Sequence, residues 1–161
     1  GMGEATAKIV ATFPETGFFA VEVHKPGIGA LMNMASANGS TNIRIIEEDA
    51  HMVLSLNIPD NSLDAIHLYF PDPWPKARHW KRRIVQLPFL ELIHPKLKDG
   101  GYIHIATDWI EYAGWMQRVF SETTLFDGGV IARPAWRPIS KFEGQGLRKG
   151  HEVTDLKYFK K

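Results

Sequence analysis

The 161-residue sequence contains no cysteine. Disulfides and thiolate metal ligands are therefore excluded, and packing has to hold the fold together. No apolar run approaches the roughly 20 residues that span a bilayer, and no charged-then-apolar leader with a cleavage site opens the chain. These absences read as a soluble protein of the cell interior, expected in the cytoplasm. Net charge is only +1, from 19 Lys+Arg against 18 Asp+Glu, so any hold on a polyanion must come from local clustering. No internal repeat, low-complexity segment or linker interrupts the sequence, and its length suits a single domain over residues 1–161.

One stretch stands apart: Leu68-Tyr69-Phe70-Pro71-Asp72-Pro73-Trp74-Pro75-Lys76. Ahead of it, Leu63 to Leu68 is a short apolar run that reads as a buried strand. Pro71, Pro73 and Pro75 forbid both ladder pairing and helix, so the chain must leave the sheet as a stiff, extended turn. A residue before proline is pushed out of the α region, which restricts Asp72 and Trp74. A carboxylate fixed at the carboxyl end of a strand sits where open α/β sheets bind ligands. The cations Lys76, Arg78, Lys81, Arg82 and Arg83 follow, with His79 among them. The stretch is either a rigid acid beside a polyanion-binding cluster or a proline-rich turn leading into a solvated face.

The rest alternates between helix and strand periodicity. Helices are expected over 5–13, 28–38, from about His51, and over 84–92 and 110–120; strands over 18–23, 42–46, 63–68, 102–106, 125–131 and 152–159. Lys98 to Gly101 reads as a turn. Strands separated by helices of about a dozen residues predict an α/β fold with a doubly wound, mostly parallel sheet. The last two strands have no helix between them in this reading, which predicts an antiparallel C-terminal edge. Gly1-Met2-Gly3 before the first helix lets a ligand approach the backbone and its first amides. Glu22, near the carboxyl end of its strand, either grips a ribose diol or is a surface acid. Asp49 either hydrogen-bonds an adenine amino group or caps the helix after it. The histidines show no metal-ligand spacing, and His104 reads as a core or edge residue.

Together these features resemble the bacterial tRNA (guanine-N7-)-methyltransferases, a family of S-adenosylmethionine-dependent enzymes with a Rossmann-like fold. The resemblance rests chiefly on PDPWPKARHWKRR at 71–83, ATDW at 106–109 and SKFEGQGLRKGHEVTDL at 140–156. Gly1-Met2-Gly3, VEVHKPGIGAL at 21–31 and IPDNSLD at 58–64 add to it. Residue by residue, it implies that Gly1, Gly3 and Glu22 hold the S-adenosylmethionine, that Asp49 contacts its adenine, and that Asp72 both binds the cofactor and sits at the methyl-transfer centre. It assigns Lys76, Asp108, Ser140, Lys141, Phe142 and Glu143 to the guanosine, and Arg78, His79, Lys81, Arg82 and Arg83 to the tRNA. Ser140 stands where the family more often has threonine, keeping the hydroxyl.

The chemistry of such a reaction fits those residue types. Guanine N7 has an exposed lone pair and needs no deprotonation, so catalysis is placement and electrostatics. Carboxylates near the base edge can accept from its N1 and amino donors and favour the cationic product, as Asp108, Glu143 and Asp72 could. Lysine and arginine suit phosphates instead. Trp74, Trp80 and Trp109 could stack an unpaired base or pack at the sheet edge. No metal is required.

The resemblance also implies a strand ending in an acid just before the Gly-Met-Gly turn. This sequence begins at the turn, so the first, central strand of the usual fold is expected to be absent. Its neighbours would close up, take a strand from another chain (a homodimer through the gap), or leave the amino end disordered. The alternative to an active methyltransferase is a truncated or degenerate relative that binds tRNA or a partner without catalysis.

Overall fold

The computed structural model describes residues 1–161, the side chain of Phe142 excepted. In chain order the elements are α1 (Glu4–Thr12), β1 (Phe18–Glu22), α2 (Lys25–Ala37), β2 (Ile43–Glu47), α3 (Ala50–Leu56) and β3 (Leu63–Tyr69). A short 3₁₀ helix (Ala77–Arg82) follows, then α4 (Leu87–Ile93), β4 (Leu97–Thr107), α5 (Ile110–Ser121), β5 (Phe126–Ile131), α6 (Lys141–Arg148) and β6 (Thr154–Lys160). The chain forms two compact units, one of Gly1–Asn57 with Pro134–Gly144, the other of Ile58–Arg133 with Gln145–Lys161.

In the first unit β1 and β2 pair in parallel, Phe18 opposite Ile43 through Glu22 opposite Glu47. Helix α1 turns Ala7, Ile9 and Val10 inward. Gly3 stands at its amino end with φ 77°, where a Cβ would come within 2.7 Å of the Leu31 Cβ. Only glycine fits both the left-handed backbone and the close approach of α2. The Asn42 amide lies 2.8–3.1 Å from the carbonyls of Val10, Phe13 and Thr16, tying the exit of α1 to the start of β2. Helix α2 starts three residues before the expected Ile28, because Pro26 falls in its first turn, where a missing N–H costs nothing.

In the second unit the sheet order is β3-β4-β6-β5. β3 and β4 are parallel, while β6 runs antiparallel to both β4 and β5. Parallel pairing with an antiparallel C-terminal portion is the fold class read from the sequence, although α6 lies between β5 and β6, where the sequence reading has no helix. The strands nevertheless divide between two sheets, where one had been expected. Both sheets are open: β1 and β2 are the edges of one and β3 and β5 the edges of the other, with no further strand beside them among the described residues. Lys98–Gly101 is an excursion inside β4: Leu63 pairs with Leu97 and Ala65 with Tyr102, two steps on β3 against five on β4. Gly100, at φ 76°, makes that excursion possible.

One face of this sheet is apolar. Ile103, Ile105 and Leu156 are fully buried there, with Met116 of α5 equally enclosed. Phe120 of the same helix stacks on Tyr158, ring centroids 3.7 Å apart. Each such side chain contributes about 1.5–3 kcal/mol. The opposite face, fixed by two-residue alternation, carries a polar chain across three strands. Tyr69 Oη lies 2.9 Å from His104 Nδ1, and His104 Nε2 lies 2.9 Å from Asp155 Oδ1. His104 is thus a buried, hydrogen-bonded core residue. His67 stacks against Tyr69 on the same face. Burial, then the charges of His104 and Lys157, push its pKa down to about 4.

No described helix is long and apolar enough to cross a membrane.

Candidate active site

Everything at the rim of the second unit follows from how β3 and β4 end. Their parallel register sets Tyr69 opposite Ala106, and the Phe70 N–H reaches the Ala106 carbonyl at 2.7 Å. Asp72 and Asp108 therefore leave adjacent strands at the same carboxyl edge. Asp72 is exposed and Asp108 half-buried. At the end of β4 the Thr107 hydroxyl accepts from the Trp109 N–H at 3.2 Å, turning the chain into α5.

The proline-braced turn is more contorted than the sequence implies. Phe70 has φ 51° and Trp74 φ 44°, a region that costs a non-glycine residue roughly 1–3 kcal/mol. Trp74 does leave the right-handed region, as its following proline demands, but by crossing to positive φ instead of extending. Two hydrogen bonds impose this. Asp72 Oδ1 accepts from the Trp74 N–H at 3.0 Å, and the Pro73 carbonyl accepts from Arg83 Nε at 2.8 Å. The turn bends back on itself because both sides of the Pro73–Trp74 peptide are held.

The cations that follow do not all face solvent. Lys76, Arg78, Lys81 and Arg82 are exposed, and His79 is half-buried. The Arg82 guanidinium lies over the Trp74 ring at 4.9 Å, with His79 edge-on to the same ring at 5.8 Å. Arg83 departs from the expectation that it faces RNA. It is only 2% exposed, and both terminal nitrogens meet the Glu111 carboxylate, at 2.5 and 3.2 Å. The aromatic faces of Trp80, Tyr112 and Trp115 surround its guanidinium at 4.7–5.0 Å. A charge so enclosed and paired cannot serve a phosphate. Five consecutive-looking cations in the sequence are four exposed ones and a buried strut.

The first unit holds the remaining candidates. Glu22 closes β1 with its carboxylate folded over the following backbone: Oε1 accepts from the Val23 and His24 N–H groups at 2.8 and 3.0 Å. The Gly1 nitrogen donates to Oε2. Burial opposes charge on Glu22, but these hydrogen bonds prevail and hold its pKa below the ordinary carboxylate value. The Gly1 carbonyl lies so near Gly27 that a Cβ there would overlap it, at 1.7 Å. Asp49 caps α3, Oδ1 accepting from the His51 and Met52 N–H groups.

Ser140 Oγ accepts from the Glu143 N–H at 3.1 Å, the hydroxyl half of a capping box. The Lys141 N–H donates to Glu4 Oε2 at 3.2 Å. The Phe142 side chain lies outside the described residues. Glu143 does not reach back to the cap. Both of its oxygens are taken by Arg137, at 2.9 and 3.0 Å, and both residues are buried. Among the described residues no cluster of three histidine, aspartate or glutamate side chains could hold a metal ion.

Sequence reasoning missed Arg137 and Glu111, the partners that commit Glu143 and Arg83. Neither carries a local signal, since each is one charged residue in an otherwise ordinary loop or helix. Glu111 is an acid in a helix's first turn, a position that helix termini favour by themselves.

The family model described as "Putative methyltransferase" matches residues 1–156. The tRNA (guanine-N(7)-)-methyltransferase of Nitrosomonas eutropha is 50% identical over 163 residues, a match covering 99% of this chain and 73% of that relative. The protein of the same name from Streptomyces avermitilis is also 50% identical, over 97% of this chain and 56% of its own length. The chain thus spans between roughly half and three quarters of these curated relatives. Among solved structures, an rRNA methylase from Streptococcus thermophilus superposes with a TM-score of 0.64 at 18% identity, covering 99% of this chain and 81% of that one. A Streptococcus mutans protein described as "a putative methyltransferase", solved in complex with SAH, gives 0.64 at 13% identity, covering 100% and 84%. Those two likenesses establish the fold. Half-identity sustained over nearly the entire chain, on that fold, makes this protein a member of the tRNA (guanine-N(7)-)-methyltransferase family.

Proposed function

We propose that this chain transfers a methyl group from S-adenosylmethionine to N7 of a guanosine in tRNA. The observation that carries the reading is the register of β3 on β4, which delivers Asp72 and Asp108 to one strand-end rim with the exposed cations of the 3₁₀ helix following directly. The cofactor's chemistry fits the residues present. Glu22 is an ionised carboxylate at a strand end, suited to a ribose diol. When bound, S-adenosylmethionine supplies a sulfonium methyl group, whose carbon the guanine N7 lone pair attacks in line, displacing the sulfur, which keeps the bond pair and leaves as a neutral thioether.

The protein's part is placement and charge. Asp72, locked by the Trp74 N–H, and Asp108 present negative charge where the purine becomes cationic, and each can accept from guanine N–H donors. Lys76, Arg78, Lys81 and Arg82 seat tRNA phosphates, with His79 beside them. Asp49 has one oxygen committed to its helix cap, leaving the other for an adenine amino group. Ser140 and Lys141 remain guanosine candidates, Phe142 with them. Glu143 acts on that segment through Arg137, holding it in shape.

Incubation with labelled S-adenosylmethionine and unmodified tRNA, followed by nucleoside analysis, tests the reading. N7-methylguanosine should form, and Asp72→Ala should abolish it. Salt-sensitive tRNA binding without that product would make the chain a binding module instead.

A further inference from the structure

Arg83 is more than a buried cation, because its two ends hold different parts of the rim. Nε donates to the Pro73 carbonyl, inside the turn that carries Asp72. The terminal nitrogens grip Glu111, in the first turn of α5, three residues beyond Asp108. The planar guanidinium fixes both directions at once, a geometry that lysine cannot reproduce. The surrounding chain reinforces it. The Trp115 indole donates to the Val85 carbonyl at 2.9 Å, and the Gln86 amide donates to the carbonyls of Lys81 and Arg83 at 2.9 and 2.6 Å. The carboxyl end of the 3₁₀ helix is thereby anchored against α5.

We propose that Arg83 is a positioning residue that couples the two strand-end acids, fixing the Asp72 turn relative to the helix that follows Asp108. The inference rests on the reading of Asp72 as the methyl-transfer carboxylate. In that role Arg83 touches neither RNA nor cofactor. Its guanidinium holds the Pro73–Trp74 peptide from the carbonyl side while Asp72 holds it from the N–H side, so the strained φ of Trp74 persists only while both grips are intact.

The test uses Arg83→Gln and Glu111→Gln, each read three ways. Amide hydrogen exchange at Trp74 is expected to accelerate by at least about tenfold, with Leu156 in the sheet centre unchanged. The single-turnover methylation rate at saturating tRNA is expected to fall about tenfold or more, with the salt slope of tRNA binding as in the wild type. Loss of about one from that slope in Arg83→Gln, with Trp74 exchange unaltered in both variants, would overturn the proposal in favour of a phosphate contact. Should Arg83→Gln fail to fold, Glu111→Gln decides, since Glu111 is partly exposed and its amide analogue keeps the shape. If the wild type makes no N7-methylguanosine, the methyltransferase reading fails, whereas Trp74 exchange still decides whether Arg83 holds the turn.

Discussion

Arg137 and Glu143 meet fork to fork, in two parallel hydrogen bonds of 2.9 and 3.0 Å, with both side chains withdrawn from solvent. Removing one partner would leave the other's charge buried and unmatched, a loss of roughly 3–5 kcal/mol. Arg137→Ala or Glu143→Ala should therefore lower the melting temperature sharply. The double change Arg137→Met/Glu143→Leu should recover much of it, because no charge is then stranded. Thermal melts of the four proteins check this.

Asp72 holds the Trp74 N–H and also presents charge, and two substitutions separate these roles. Asp72→Asn keeps an oxygen for the Trp74 amide but loses the negative charge; Asp72→Ala loses both. Single-turnover methylation should fall by roughly 10²-fold in the asparagine variant and further in the alanine variant. Equal, small losses in both would show that the charge is not needed.

The exposed cations should act on binding. Arg78→Ala and Arg82→Ala are each expected to weaken tRNA binding about equally for all sequences, and to reduce the slope of log K against log salt by about one. Arg82→Ala also uncovers the Trp74 ring, so its tryptophan fluorescence should shift while that of Arg78→Ala does not.

His67 makes stability pH-dependent. Its pKa falls from 6.5 in the unfolded chain to about 4 when folded, so the unfolded state binds the proton first as pH drops. Stability should be full above about pH 6.5 and decline towards pH 4, by at most roughly 3 kcal/mol from this group. Urea melts between pH 7 and 4.5 should show the decline, and His67→Phe should flatten it.

Asp49 offers a cleaner separation than most candidates. Asp49→Asn should keep the α3 cap, whereas Asp49→Ala should cost about 0.5–2 kcal/mol. Weaker S-adenosylmethionine binding by calorimetry in both variants, against a loss of stability in the alanine one alone, would assign Asp49 to the cofactor as well as the helix.

The strand ends were the readable part of this protein. Asp72 and Asp108 each follow a short, largely apolar strand, and the sheet's carboxyl edge is where such residues converge whatever the tertiary detail. What sequence could not supply was the partner of each charge. Arg83 belongs to an unbroken basic run, yet its position against Glu111 and three aromatic rings depends on how α5 packs. Glu143 has capping-box spacing from Ser140, and a competing arginine six residues earlier takes its carboxylate instead. Backbone details failed for similar reasons. Pro26 reads as a breaker until it is known to lie in a first turn, and the glycines at 100 and 101 read as a strand boundary although β4 runs through them.

The relay Tyr69–His104–Asp155 spans three strands that come from distant parts of the chain. Sliding β6 by a single residue would turn Asp155 to the side occupied by Ile103 and Ile105 and strip His104 of its acceptor. The trio therefore works as an alignment key for the antiparallel half of the sheet, rejecting near-miss pairings that the surrounding aliphatic residues would tolerate. Changes at these three positions should be viable chiefly in combination.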